Sequence, residues 1–201
     1  NGVLFSGNEH RIEYNDISRV LQWTGDAGAI YTGRDWGYRG NRIRHNFIHH
    51  ITSKLDRDDV HGVYLDDAVS GIEVSGNVLY EIDGVALVNG GGRDNLLVNN
   101  IVAKCGTATF TDRRGTTITN TPGDSWNLLE RIQRVNYTQP PWSTAYPALA
   151  AIPNDFTLLD PWKDPGGTVF SRNVGWQNDL WMREGSWGGT GGFSYYAEIA
   201  D

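Results

Sequence analysis

An asparagine embedded in short alternating segments returns at a nearly regular interval along this chain, and that recurrence restricts the fold more than any other feature. The segments are R-I-E-Y-N-D-I (Arg11–Ile17), R-I-R-H-N-F-I (Arg42–Ile48), G-I-E-V-S-G-N-V-L (Gly71–Leu79), N-L-L-V-N-N-I-V (Asn95–Val102) and T-V-F-S-R-N-V (Thr168–Val174). Their asparagines are Asn15, Asn46, Asn77, Asn100 and Asn173, separated by 31, 31 and 23 residues and then by one long interval. A further set of short strands is predicted between them, around Ile30, Val63, Val85 and Ala108. The period is that of strands, the linking residues are turn-formers, and no helical period runs through the repeats. One such repeat cannot bury its own apolar side. Stacked coils can, with strands about 4.8 Å apart, because each closes the core of the next. Equivalent residues then lie above one another, so the recurring asparagine predicts a ladder of mutually bonded side-chain amides. The expected fold is all-β, a parallel β-helix over roughly residues 1–112 and again near 165–183.

The tyrosines Tyr31 and Tyr64 align two neighbouring copies, G-A-I-Y-T-G-R-D-W (Gly28–Trp36) and H-G-V-Y-L-D-D (His61–Asp67). A third copy, Gly84-Val85-Ala86-Leu87, keeps the strand and loses the tyrosine. Alternation sends Ile30, Thr32, Val63, Leu65, Val85, Leu87, Ala108 and Phe110 inward, and Tyr31, Tyr64 and Asp66 outward. The same register sets Asp66 beside Gly33, and Asp67 beside Arg34, Asn89 and Asp112, with Asp35 one residue beyond. The first two coils carry extra length in Gln22–Gly28 and Leu55–His61, and long loops on one side of a solenoid build its working face. Residues 113–165 interrupt the repeat. They are predicted to hold one short helix, Ser125–Val135 with Ser125 as N-cap, followed by an extended aromatic run through Tyr137, Pro140-Pro141-Trp142, Tyr146-Pro147 and Trp162. This insertion leaves the stack at the strand ends that carry Asp67, so it is expected to fold over the carboxylates as a lid or wall.

Two or three carboxylates within a coil spacing cannot all ionise cheaply, which leaves an acid beside a base. That pairing equips a chain for glycoside hydrolysis, where a separation of about 5–5.5 Å gives retention and roughly 6.5–9.5 Å gives inversion. The stacking favours Asp35 as the partner of Asp66 and Asp67. Arg34 is placed to hold one carboxylate ionised or to clamp an acidic sugar. Trp36, Tyr38, Trp142 and Tyr146 suit stacking on a pyranose ring, beside Tyr31 and Tyr64. His61, Arg93, Asp112 and Arg113 complete the set of expected substrate contacts. His45, His49 and His50 lack a metal-ligand spacing, so neither a metal nor a cofactor is expected.

The net charge of −7 and the lack of a Lys/Arg-rich block exclude nucleic acid and anionic membranes as expected partners. No apolar run is long enough for a membrane span. The single cysteine, Cys105, excludes an internal disulfide and reads as a small core residue. One domain over residues 1–201 is expected, monomeric, and read as a piece of a longer secreted, periplasmic or cell-surface protein whose signal peptide is absent from this piece.

The recurrence resembles right-handed β-helix proteins of the pectin-lyase-like type, and the handedness is an implication of that resemblance. The runs G-D-A-G-A-I-Y-T-G-R-D-W (Gly25–Trp36), G-V-Y-L-D-D (Gly62–Asp67) and G-G-G-R-D-N (Gly90–Asn95), with the P-P-W-x-x-x-Y-P of the insertion, are similar to β-helix glycoside hydrolases of polysaccharide-degrading bacteria. They look most like glycoside hydrolase family 141 and its unassigned relatives, a family that includes α-L-fucosidase and xylanase activities. The resemblance implies a catalytic pair of aspartates, carried here by Asp26 in G-D-A-G and by Asp66 or Asp67 in L-D-D. Asp26 and Asp35 are therefore rival partners. The expected substrate is a plant-wall or algal polysaccharide or its oligosaccharides. Two other readings share the fold. One is a polysaccharide lyase, which needs a strong base and often Ca²⁺. The other is a non-catalytic glycan-binding or adhesive β-helix.

Overall fold

The computed structural model describes residues 1–55, 59–118 and 121–200. Each of the first five coils lays down one strand in each of three sheets, the last lays down two, and every pairing between coils is parallel. The first sheet stacks Val3–Leu4, Ala27–Gly33, Val60–Asp66, Val85–Asn89, Thr107–Thr111 and Leu180–Glu184. The second stacks Arg11–Glu13, Arg42–Arg44, Glu73–Ser75, Leu96–Val98, Val169–Ser171 and Glu198–Ala200. The third stacks Asp16–Ser18, Phe47–Ile51, Val78–Ile82, Ile101–Ala103 and Val174–Trp176. The result is an all-parallel β solenoid with few helices. Of the long pre-strand loops, Leu55–His61 includes residues 56–58, which lie outside the described residues.

The corners are as periodic as the strands. Left-handed backbone recurs three times per coil, five residues apart: Glu9, Tyr14 and Arg19, then Gly40, His45 and His50, then Gly71, Gly76 and Glu81. The next coils repeat it at Asp94, Asn99 and Lys104, and at Gly167, Arg172 and Gln177. A side chain other than glycine is costly in that conformation, on the order of 1 kcal/mol. The middle corner of each coil gains a compensating bond network, because the next residue is the recurring asparagine. Nδ2 of Asn15 donates to Oδ1 of Asn46 at 2.8 Å, Asn46 to Asn77 at 2.9 Å, and Asn77 to Asn100 and Asn100 to Asn173 at 3.0 Å each.

Inside lie Ile30, Ile43, Ile48, Val63, Leu65, Ile72, Leu79, Leu87 and Phe170, each worth about 1.5–3 kcal/mol of burial. The inward pattern departs from strict alternation at one place. The consecutive residues Ala29 and Ile30, and likewise Ala86 and Leu87, both join the core. Gly62 does the same: a Cβ there would stand 2.8 Å from Ile82 Cδ1 and Leu79 Cδ2. The pleat breaks at this point and the strand bends. Val85 and Phe110, expected inside, consequently lie on the outer face with Tyr31, Tyr64 and Val88. Thr109 and Thr111 occupy the inner positions instead, and their hydroxyls donate to Leu87 O at 3.2 Å and Asn89 O at 3.1 Å. Asn89 also differs from expectation, pairing with Leu65 rather than lying beside Asp67.

The insertion is helical where an extended run was expected. Its first helix is Leu128–Gln133, shorter than predicted, and Ser125 does not cap it. Asp124 ties the approach instead, its Oδ1 accepting from Trp126 N and Asn127 N at 2.8 and 2.7 Å. Single turns follow at Trp142–Ala145, Pro147–Ala150, Phe156–Leu158 and Asp160–Trp162. Leu128, Leu129, Ile132, Tyr137, Leu149, Ile152 and Leu159 make a second small core, which docks on the solenoid through Trp36 and Ala68. Among the described residues no helix is long and apolar enough to cross a membrane.

Candidate functional site

The strand Val60–Asp66 ends in two carboxylates at the corner between the first and second sheets. Asp66 pairs with Gly33 across the sheet, and Asp67 follows in left-handed backbone. Both are 6% exposed. Every bond to Asp66 comes from a donor. Its Oδ1 accepts from Asp67 N at 2.8 Å and from Arg114 Nη1, and its Oδ2 accepts from the Tyr31 hydroxyl at 2.8 Å. Asp67 Oδ2 accepts from Arg34 Nε at 2.8 Å and from Arg34 Nη2.

Arg114 is the residue that joins this pair to the next coils, and sequence reasoning passed over it in favour of its neighbour Arg113. Its guanidinium binds Asp112 through Nε at 2.9 Å and Nη2 at 2.7 Å. It reaches Asp66 through Nη1, which also lies 3.7 Å from Asp67 Oδ1 and 3.3 Å from the Tyr64 hydroxyl. The triple glycine of the intervening coil makes room for it: a Cβ on Gly90 would stand 2.9 Å from Arg114 Cζ, and one on Gly91 3.0 Å from Cγ. The legible signal was the G-G-G run lying between two acidic coil ends. Two aromatic rings that were not foreseen flank the arginines. Trp126 of the insertion lies 5.4 Å from Arg34 Cζ, and Trp187 lies 5.0 Å from Arg114 Cζ.

The rival aspartates part company here. The bend that brings Gly28 against Tyr64 (a Cβ on Gly28 would be 2.7 Å from Tyr64 Cβ) also carries Asp26 to this patch. The Tyr64 hydroxyl donates to Asp26 Oδ1 at 3.3 Å. Asp35 instead faces the insertion. It accepts from Gly37 N at 2.7 Å and lies 3.5 Å from Arg131 Nη1, and its pKa is raised by burial against the pull of those two partners. Backbone geometry points the same way. Within the solenoid, the left-handed residues outside the three-corner pattern are Leu21, Asp26, Arg34, Asp67 and Ala68, among non-glycine residues. Three of those five are ionisable members of this patch.

The other expected contacts are scattered. Trp36 is 1% exposed beneath the insertion, where no sugar can stack on it, and Tyr38 packs against the solenoid core. Arg93 donates to Pro161 O at 3.3 Å and Asp164 O at 3.0 Å and covers the Trp162 ring, tying down the end of the insertion. Arg113 binds Asp164 Oδ1 at 2.6 Å. His61 accepts from Val85 N through Nδ1 at 3.2 Å and sets its ring edge-on to Tyr64. Trp142 and Tyr146 lie against the first coil, where the Tyr146 hydroxyl donates to Glu9 Oε1 at 2.6 Å. Among the described residues no group of three or more His, Cys, Asp or Glu is placed to hold a metal ion.

Burial sets the electrostatics of Asp67 and the two tyrosines. Burial, reinforced by the Asp66 charge, holds the Asp67 pKa above the ordinary carboxylate value, against the opposing bonds of Arg34. Burial first, and then Asp66, push the Tyr31 and Tyr64 phenols up as well. Burial works against the charge of Arg114, but the Asp112 bonds outweigh it and its pKa is raised. For Asp67 the linkage has a definite sign. A carboxyl that binds its proton more tightly when folded loses stability as pH climbs from the unfolded value, about 3.9, through the folded one. The stability of the wild type relative to Asp67→Asn should therefore fall as pH rises above about 4, read by urea unfolding at stepped pH. A flat or rising difference would contradict the assignment.

Compared with family models, curated proteins and solved structures, the chain matches none.

Proposed function

We propose that the chain is a glycoside hydrolase acting on a neutral plant-wall or algal polysaccharide, or on its oligosaccharides, with Asp66 and Asp67 as the proton-transfer pair. The observation that carries this reading is two neighbouring carboxyls held by different partners: Asp67, bonded by Arg34 and with its pKa raised by burial, and Asp66, ringed by donors from Arg114, Tyr31 and Asp67 N. In this reading Asp67 gives its proton to the glycosidic oxygen as the C–O bond breaks. Asp66 takes a proton from the attacking water, or itself attacks the anomeric carbon. Trp126 and Trp187 flank the two arginines and supply apolar faces for sugar rings.

A neutral substrate follows from local charge. Even with Asp67 protonated, Asp26, Asp66 and Asp112 outnumber Arg34 and Arg114, and a uronate would meet net repulsion. The same count disfavours a lyase, as do the raised pKa values of Tyr31, Tyr64 and Arg114, which hold their protons too tightly to serve as the base. A right-handed β-helix of the pectin-lyase-like type, kinship with glycoside hydrolase family 141, and a secreted, monomeric, cofactor-free enzyme belong to this proposal.

The test is incubation of the protein with plant-wall and algal polysaccharides, following new reducing ends and the ultraviolet band of unsaturated sugar ends. Reducing ends should appear without that band. Asp67→Asn and Asp66→Asn should each cut turnover by about 10²–10⁴ while substrate binding persists. Unsaturated products would replace the hydrolase reading with the lyase. Unchanged behaviour of both variants would leave a glycan-binding solenoid.

A further inference from the structure

The third sheet carries a histidine pair that the Asp66–Asp67 patch does not use. His49 and His50 lie near the end of the strand Phe47–Ile51. Adjacent side chains of an ideal strand point to opposite faces, so two histidines in sequence would share no ligand there. The corner changes that. Ile48 and Ile51 enter the core, His49 points out of the sheet, and the left-handed backbone of His50 (φ 53°) turns its ring to the same outer side. The two Nδ1 atoms meet at 2.5 Å.

The far nitrogens of both rings face carboxylates. His49 Nε2 donates to Asp16 Oδ1 at 2.8 Å, one coil below, and His50 Nε2 lies 3.0 Å from Glu81 Oε2, one coil above. A carboxylate only accepts, so each Nε2 carries its hydrogen and each neutral ring presents a bare Nδ1 lone pair to the other. Two lone pairs at that distance repel unless a proton or a metal ion lies between them. A histidine that ligates a metal gives its second N–H to a carboxylate in most sites, which fixes the ring and strengthens the ligand. Both rings here are held that way. The surroundings limit which ion fits. Phe47 stacks on His49 with centroids 4.0 Å apart, and Tyr80 stands edge-on to His50 at 5.7 Å. Among the described residues no third His, Cys, Asp or Glu completes a ligand set. Zn²⁺ takes four ligands, and Ca²⁺ and Mg²⁺ take oxygens. Copper(I) is satisfied by two imidazole nitrogens in line. Two bonds of about 2 Å each require the Nδ1 atoms to part by about 1.5 Å, and His50, 41% exposed, has room to swing.

We propose that His49 and His50 form a two-coordinate copper(I) site on the outer face of the third sheet. The site stands apart from the glycan-cleaving patch and holds whether or not that reading does. The test is anaerobic titration of the full chain with copper(I) in competition with bicinchoninate, a coloured copper(I) chelator. The wild type should take up one equivalent. His49→Gln and His50→Gln should each weaken uptake by at least about a hundredfold, and Asp16→Asn, which leaves both ligands in place, by about tenfold. His45→Gln and Cys105→Ser should leave it unchanged, since His45 stacks on Tyr14 and the Cys105 thiol is buried. X-ray absorption of the loaded protein should show two nitrogens at about 2 Å and no sulfur. Wild-type uptake no tighter than that of the two histidine variants would mean that the pair shares only a proton, and overturns the site. Loss of uptake with Cys105→Ser, a sulfur ligand, or a four-ligand shell overturns it as well.

Discussion

Arg114→Met is expected to lower the free energy of unfolding by about 3–5 kcal/mol, because it removes one member of a buried charge cluster and keeps its length. Asp66 and Asp112 are 6% and 1% exposed, and each has the Arg114 guanidinium as a charged partner. Without it they remain out of water and lose the cation that binds both directly, and that uncompensated burial, rather than the lost attraction, sets the size of the effect. Methionine fills most of the vacated volume, so the cavity contribution is small. Arg114→Lys restores a charge but not the fork that binds Asp112 through two nitrogens, and should recover only part of the loss. Adding Asp112→Leu to Arg114→Met should give a double variant more stable than the summed single losses predict, a coupling read directly from the cycle. Urea unfolding followed by circular dichroism measures all of these. A loss below about 1 kcal/mol for Arg114→Met would mean that the cluster is solvated and its ion pairs behave as surface ones.

Asn77→Ala should cost a similar amount, about 3–5 kcal/mol, for a different reason. The side chain sits in the middle of the amide ladder, fully buried. Its Oδ1 accepts from Asn46 N at 3.0 Å and Asn46 Nδ2 at 2.9 Å, while its Nδ2 donates to Ile43 O at 2.9 Å and Asn100 Oδ1 at 3.0 Å. Alanine leaves the Asn46 amide and the Ile43 carbonyl inside the solenoid without these partners, at about 1–3 kcal/mol for each orphaned group. Asn77→Asp should be at least as damaging, since its second oxygen would face three acceptors, Ile43 O, Ser75 O and Asn100 Oδ1. Asn15→Ala serves as the control. It removes the same kind of rung at the exposed end of the ladder and should cost under about 1 kcal/mol. Equal losses at Asn15 and Asn77 would show that burial does not govern the ladder.

The regular part of the molecule was readable because stacking in parallel converts an interval in the chain directly into a height in space. The spacing of Asn15, Asn46, Asn77 and Asn100 predicts a ladder that the amide bonds then form, and the Tyr31–Tyr64 alignment predicts the pairing of Asp66 with Gly33. The faces of Val85 and Phe110 were misjudged because the pleat breaks within the longer first-sheet strands, and strict alternation cannot register two consecutive inward residues. Trp36 was misjudged because the partner that buries it, the cluster around Leu129 and Ile132, lies far along the chain.

Local pattern alone settled that the chain repeats, which residues recur at its corners, and that Asp66 and Asp67 end a strand, since each depends only on intervals between neighbours in sequence. Tertiary structure decided which charges meet. Arg114 rather than Arg113 turns toward Asp66, across a gap that Gly90 opens, and a strand bend rather than any spacing brings Asp26 to Tyr64. A long side chain reaching across two coils, and an insertion whose docking depends on its own core, obey no period, and contacts of that kind exist only once the whole chain has packed.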